Sequence, residues 1–188
     1  MTVVYFVRHA HSNNTNRNEA FRELTAKGMA DRGRVTDFLE DKAIDMVLSS
    51  PYKRSFDTVK HFADTHDLPI TIIDDFRERA VGPWVDDFMG FAQRQWEDLD
   101  YKLDGGESLH DVQDRHINAL EQVLDEHQGK HIIIGSHGTA MCAVINYYDS
   151  LFGHEDYVSN AGRMPWVVRF VFDGKAVTDI TMYDMFVD

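Results

Sequence analysis

Cysteine, proline and long apolar runs are scarce in this sequence, and each scarcity excludes a class of protein. The single cysteine, Cys142, excludes an intrachain disulfide, and its place in the apolar run 140–145 predicts a buried, inert thiol. No apolar run is long enough to span a bilayer, and there are no repeats or low-complexity tracts. The first residues predict a strand and lack the pattern of a secretory signal, so we expect a cytoplasmic protein.

Positive charge is also in short supply. Nineteen basic side chains stand against 32 acidic ones, which gives a formal net charge of −13. A chain with this balance repels nucleic acid and anionic membranes, so we expect neither as a partner. Arginines grouped beside histidines would instead form a local cationic pocket, which selects a small anion at close range.

The order of apolar patterns predicts one α/β domain over residues 1–188. Apolar runs at 3–7, 44–48, 70–73 and 131–135 predict strands. Helices are predicted from Thr25, as N-cap, to about 40, from Pro51 through 62, and at 88–99, 108–128 and 141–148. Ser108 with Asp111 resembles a capping box. Runs 166–172 and 177–182 predict a hairpin around the turn 173–175. We expect a three-layer α/β/α sandwich with a mainly parallel sheet and this C-terminal antiparallel hairpin. The aromatic and acidic stretch 80–104 is predicted to be a lid-like excursion over the site.

Two strands end in histidine. Arg8 and His9 follow the first strand, and the strand at 131–135 runs into Ser136, His137 and Gly138. Ligands of open α/β sheets bind at the carboxyl ends of the strands. If these strands are parallel neighbours, His9 and His137 lie at one site.

Further polar residues follow the other strands. Arg54 is predicted in the first turn of the helix after the second strand, and Glu78 follows the third strand. The loop after His9 carries Ser12, Asn14 and Thr15, whose side chains can donate hydrogen bonds to an oxyanion. A solvated turn is the alternative interpretation of that loop.

These residue types fit phosphoryl transfer without a metal or other cofactor. Two arginines suit the oxygens of a phosphate, and one imidazole can attack phosphorus and hold it covalently. A second imidazole, if protonated, neutralises charge on the phosphoryl oxygens. A carboxyl group can protonate the leaving oxygen and then deprotonate water.

The sequence also resembles the histidine phosphatase superfamily, in its phosphoglycerate mutase-like branch. Six blocks carry the resemblance, in the order of the family's motifs: 7–12, 24–28, 48–58, 76–84, 105–108 and 136–138. It implies that His9 becomes phosphohistidine, that Arg8, Arg54 and His137 bind the phosphoryl group, and that Glu78 is the proton donor. Ala10 replaces the usual glycine, Thr15 stands where the family often has asparagine, and the sequence after Glu78 is its own.

Several functions remain open at this point. We expect a phosphomonoesterase acting on a small phosphorylated metabolite, because only Arg94 and Lys102 supply positive charge in the excursion 80–104. The alternatives are a phosphoglycerate-type mutase and a non-catalytic module that binds phosphorylated ligands. A metal hydrolase using His9, His11 and His137 ranks last, since no His-Glu-x-x-His pattern is present. The sequence leaves open the identity of the substrate and the oligomeric state, for which a homodimer is one alternative.

Overall fold

Six strands form one mixed sheet through the middle of the computed structural model, which describes residues 1–186. Their order is β3-β2-β4-β1-β5-β6. The first four run parallel, and β5 and β6 are antiparallel to their neighbours. The strands are β1 (Thr2–Arg8), β2 (Met46–Ser49), β3 (Ile70–Ile72), β4 (His131–Ser136), β5 (Trp166–Asp173) and β6 (Ala176–Asp184).

The helices connect these strands and cover both faces of the sheet. They are α1 (Ala26–Leu39), α2 (Lys53–Thr65), α3 (Phe88–Glu97), α4 (Leu109–Glu126), α5 (Gly138–Tyr148) and α6 (His154–Asn160). Side chains cap several of them as their sequences predict. Thr25 accepts a hydrogen bond from the Gly28 N–H at the start of α1, and Ser108 forms a capping box with Asp111 at the start of α4.

Alternate residues of β1 point into two separate cores. Val4 and Phe6 pack with α4 and α5 on one face, whereas Tyr5 and Val7 pack with α1 and α2 on the other. Strands buried on both faces read as continuous apolar runs, which explains the patterns at 3–7 and 131–135. The predicted three-layer α/β/α sandwich with its C-terminal hairpin is confirmed.

Three local features differ from the sequence-based prediction. Pro51 lies before α2 rather than in its first turn, because α2 begins at Lys53 with Tyr52 as its N-cap residue. A 3-10 turn at Asp74–Phe76 and the short helix α6 were not predicted. Within residues 1–186, no helix is both long and apolar enough to cross a membrane.

Candidate active site

The carboxyl ends of β1 and β4 lie side by side and bring the two predicted histidines together. Arg8 pairs with Ser136 in the parallel register, so His9 and His137 leave the sheet at the same level. Their ring centroids are 5.4 Å apart. The sheet edge therefore places both imidazoles at one site.

His9 is held in one tautomer by the backbone of the next residue. Its Nδ1 donates a hydrogen bond to the Ala10 carbonyl oxygen at 2.8 Å, which leaves the lone pair on Nε2. The Ala10 N–H donates to Thr58 Oγ1 at 3.0 Å, and Thr58 lies on α2. Burial, with Arg54 and Arg8 nearby, holds the pKa of His9 well below its usual value. His9 is thus a neutral imidazole with an available nitrogen.

Ser50 fixes the second imidazole. His137 Nε2 and Ser50 Oγ form a 2.8 Å hydrogen bond, and the Tyr52 N–H donates to the same hydroxyl at 3.2 Å. Burial, followed by the charge of Arg54, lowers the pKa of His137 well below its usual value. Sequence reasoning gave Ser50 no role, although its position directly after β2 placed it at the same sheet edge.

Arg8 is positioned by the end of α6 and the chain that follows it. Its Nη1 donates to the carbonyl oxygens of Asn160 and Arg163, at 2.9 and 3.1 Å. The guanidinium packs against Gly138, where a Cβ atom would lie 2.8 Å from Arg8 Cζ. Gly138 is therefore required by the close approach of Arg8.

Arg54 lies in the first turn of α2 and is only 2% exposed. Its Nη1 donates to the Glu19 carbonyl oxygen at 2.7 Å, and its Nη2 donates to Glu19 Oε2 at 3.0 Å. Both terminal nitrogens therefore contact the loop that follows His9.

Glu78 is held by the N-terminus of α5. Its Oε1 accepts hydrogen bonds from the backbone N–H groups of Arg79 and Ala140, both at 2.9 Å, and Oε2 accepts from that of Thr139 at 3.1 Å. Because α5 begins directly after His137, these bonds fix the carboxyl group beside the histidine pair.

One cavity of about 800 Å³ is lined by most of these residues, whereas His137 and Ser50 are fully buried and do not line it. Of the predicted site residues, it is lined by Arg8, His9, Ser12, Asn14, Arg54, Glu78 and Gly138. Thr15 and Ser136 lie elsewhere: Thr15 is exposed and donates to Asn13 Oδ1, and Ser136 Oγ donates to the Phe76 carbonyl oxygen at 3.4 Å.

The first part of the excursion 80–104 covers the cavity. Residues 80–86 and Phe88 line it, and the exposed Trp84 ring stacks under Arg17, whose Cζ lies 4.3 Å from the ring centroid. From Phe91 onward the chain packs against the rest of the fold: the ring centroids of Trp96 and Tyr157 are 5.7 Å apart. About a third of the stretch 80–104 therefore lines the cavity, and its lid-like role stays a prediction.

Arg79 also lines the cavity and was missed by sequence reasoning. Its guanidinium is buried between the rings of Phe88 and Phe91 and donates from Nη1 to Gln95 Oε1. Nowhere in residues 1–186 does a carboxylate lie within salt-bridge distance of it. Arg79 belongs to the Arg-Glu-Arg run at 77–79, but the sequence does not show which of these side chains faces the cavity.

Metal ligation and thiol chemistry receive little support from the geometry. In the described part of the chain, no three His, Cys, Asp or Glu side chains form a group that could hold a metal ion. His11 forms a hydrogen bond from Nδ1 with Thr25 Oγ1 instead. Cys142 lines the cavity, and burial raises the pKa of its thiol to about 12, which keeps it protonated.

Fold and site together define a class of protein: an α/β/α sandwich with a histidine pair and arginines at the carboxyl edge of its parallel strands. The family model of the histidine phosphatase superfamily, branch 1, matches residues 4–157, and the chain belongs to that superfamily.

Relatives and solved structures agree with this assignment. The chain is 27% identical to the uncharacterized phosphatase PhoE of Bacillus subtilis, over 77% of this chain and 76% of that protein. It is 28% identical to phosphoserine phosphatase 1 of Hydrogenobacter thermophilus, over 81% and 77%. The crystal structure of a phosphoserine phosphatase from Entamoeba histolytica, in complex with 3-phosphoglyceric acid, shares the fold, with a TM-score of 0.78 and 18% identity over the full length of both chains.

Proposed function

We propose that this chain is a phosphomonoesterase that hydrolyses a small phosphorylated metabolite through a phosphohistidine on His9. The observation that carries the proposal is the His9 imidazole with an open Nε2, 5.4 Å from His137, at a cavity also lined by Arg8 and Arg54. The lone pair on His9 Nε2 attacks phosphorus as the bond to the leaving oxygen breaks. The arginines offset the charge on the phosphoryl oxygens.

Glu78 supplies the proton transfers in this mechanism. In its protonated form it gives a proton to the leaving oxygen, which departs as an alcohol. Water then attacks the phosphohistidine, the nitrogen–phosphorus bond breaks, and Glu78 takes the proton of the water. Phosphate leaves, and one water molecule has been consumed. The position of the Glu78 carboxyl group beside His137, fixed by the backbone N–H groups of Thr139 and Ala140, supports this role.

Replacing His9 with alanine tests the proposal. We expect His9→Ala to lose turnover of an aryl phosphate by more than about a thousandfold, because the nucleophile is gone. A phosphoenzyme that is labile in acid and stable in base, trapped from the wild type by rapid quenching, is expected to be absent from the variant. The exposed His110, which pairs with Asp100 away from the cavity, provides the control His110→Ala. Near-normal turnover by His9→Ala would reject the phosphohistidine. We also expect full activity in a metal chelator.

Arg79 supports a substrate that carries a carboxylate as well as the phosphate. A buried guanidinium without an ionic partner is costly unless an anion reaches it. The relative from Hydrogenobacter thermophilus is named a phosphoserine phosphatase, and phosphoserine has such a carboxylate.

Phosphoserine and phosphoethanolamine differ only in this carboxylate, so their comparison isolates the contribution of Arg79. We expect the protein to prefer phosphoserine in kcat/KM by roughly 10- to 100-fold, the value of a hydrogen-bonded charge pair. Arg79→Met is expected to abolish the preference. Arg94→Met is the matched control, because Arg94 stacks on Tyr101 outside this cavity. An undiminished preference in Arg79→Met would place the carboxylate elsewhere.

A mutase is the second candidate, and one observation favours it. Arg94 and Lys102, the basic residues of the excursion, do not line the cavity, but Arg17, Arg22 and Arg79 do. The cavity thus holds more positive charge than the excursion alone indicated. Assaying free phosphate and isomerised ester in the same reaction separates the two functions, and we expect phosphate release to dominate.

A further inference from the structure

Glu19 is bound to Arg54 at the place where the proposed function needs a phosphoryl group. Residues 13–22 form a loop without helix or strand, and Glu19 in this loop lines the cavity. Its carbonyl oxygen and its Oε2 accept from the two terminal nitrogens of Arg54. Arg54 Nε is buried, with no acceptor among residues 1–186. Each terminal nitrogen of Arg54 therefore has one of its two N–H groups engaged with Glu19.

A carboxylate is a close chemical substitute for part of a phosphate. Both present paired anionic oxygens to the planar fork of a guanidinium. The carboxylate of Glu19 is half exposed, and its other oxygen, Oε1, contacts Arg22. If a phosphoryl oxygen takes Arg54 Nη2, Glu19 keeps Arg22 and gains water. Displacement consequently leaves no charge buried without a partner.

We propose that the Glu19 carboxylate is an internal ligand of Arg54, which phosphoryl groups must displace, and that it weakens the binding of both substrate and inorganic phosphate. The effect of this displacement on turnover rests on the proposed function. Under that function, Glu19 returns to Arg54 as phosphate departs, which limits inhibition by the product. The opposing view is that Glu19 holds Arg54 in its working position. The two views predict opposite changes in phosphate affinity when Glu19 is replaced.

Titration calorimetry with inorganic phosphate decides between them. We expect Glu19→Gln and Glu19→Ala to bind phosphate roughly two- to fivefold more tightly than the wild type, the range for loss of a half-exposed ion pair. Asp57→Asn is the matched control. Asp57 lies on the same helix as Arg54 and pairs with Lys53, so its replacement removes one negative charge without touching Arg54. The control is expected to bind phosphate as the wild type does.

Steady-state kinetics and crystallography provide independent readouts. For an aryl phosphate, we expect KM and the inhibition constant of phosphate to fall by the same factor in Glu19→Gln, without a rise in kcat. A crystal structure of the wild type with vanadate is expected to show Arg54 Nη2 on a vanadate oxygen and the Glu19 carboxylate turned away.

Unchanged or weaker phosphate binding in both Glu19 variants would overturn the inference. Tighter binding by these variants, together with a wild type that turns over no phosphate ester, would retain the inference and reject the proposed function.

Discussion

At the scale of single residues, hydrogen-bond partners and position relative to the cavity distinguish two candidate glutamates for the proposed proton transfers. Glu107 is engaged with the guanidinium groups of Arg77 and Arg115 and with the Ala80 N–H, and it does not line the cavity. Glu78 accepts only from backbone N–H groups and does line it. Geometry therefore favours Glu78 over Glu107 as the acid.

Glu78→Gln is expected to affect esters according to their leaving groups. A poor leaving group needs a proton in the transition state, so we expect kcat/KM for an alkyl phosphate to fall by about 10²–10⁴-fold. A nitrophenyl ester departs without that proton and is expected to lose much less. Glu107→Gln, measured in parallel, should not produce this dependence on the leaving group. Equal losses for both esters in Glu78→Gln would assign the acid to another residue.

Motifs locate such residues along the chain without fixing their direction. The strand ends were visible as apolar runs that stop at polar residues, and His9, His137, Arg54 and Glu78 all lie near one edge of the sheet. Ser136 lies at the same edge, but its hydroxyl donates to the Phe76 carbonyl oxygen and does not line the cavity. Arg79 could not be assigned because its surroundings come from α3, and the sequence does not show how that helix packs against the site.

At the scale of elements, the start of α1 packs tightly on the loop that follows His9. A Cβ atom on Gly28 would lie 2.1 Å from the His11 carbonyl oxygen, whereas one on Gly33 of the same helix would meet nothing within 4 Å. We expect Gly28→Ala to lower the free energy of unfolding by more than about 2 kcal/mol, because backbone must move. Gly33→Ala is expected to raise it by up to about 1 kcal/mol. Urea denaturation measures both, and equal effects would contradict the packing argument.

Elements with strong local signals were predicted well, and a short one was not. Thr25 and Ser108 cap their helices in the structure as their sequences indicate, because capping depends on residues within one turn. Helix α6 has seven residues, too few to show a clear period. Its last residue, Asn160, supplies a carbonyl oxygen to Arg8, so this missed helix positions part of the site.

At the scale of the whole molecule, charge is distributed unevenly. The chain carries a net charge of −13, yet five arginines line one cavity: Arg8, Arg17, Arg22, Arg54 and Arg79. The composition predicted that any cationic pocket would be local. Residues at the carboxyl edge of the sheet and in the loops beside it form this pocket. Burial, followed by the charge of Arg54, lowers the pKa of both His9 and His137 well below the usual value, and Arg8 adds to this at His9.

Three buried histidines make the stability of the whole fold depend on pH. Burial lowers the folded-state pKa of His9, His116 and His137 well below 6.5, the value expected for the unfolded chain. Below about pH 6.5 the unfolded state therefore binds more protons than the folded state, and stability falls as pH falls. The slope can reach about 4 kcal/mol per pH unit if all three sites contribute fully.

Urea denaturation between pH 8 and pH 5.5 measures this slope. Carboxylates do not account for it, because those with lowered pKa values, such as Glu23 at about 2, exchange protons with the unfolded chain near pH 4 and below. We expect His116→Leu, which lies outside the cavity, to remove about one proton's share of the slope. A free energy of unfolding that stays constant across this range would mean that the folded protein protonates its buried histidines as readily as the unfolded chain does, and the neutral nucleophile inferred for His9 would then have to be abandoned.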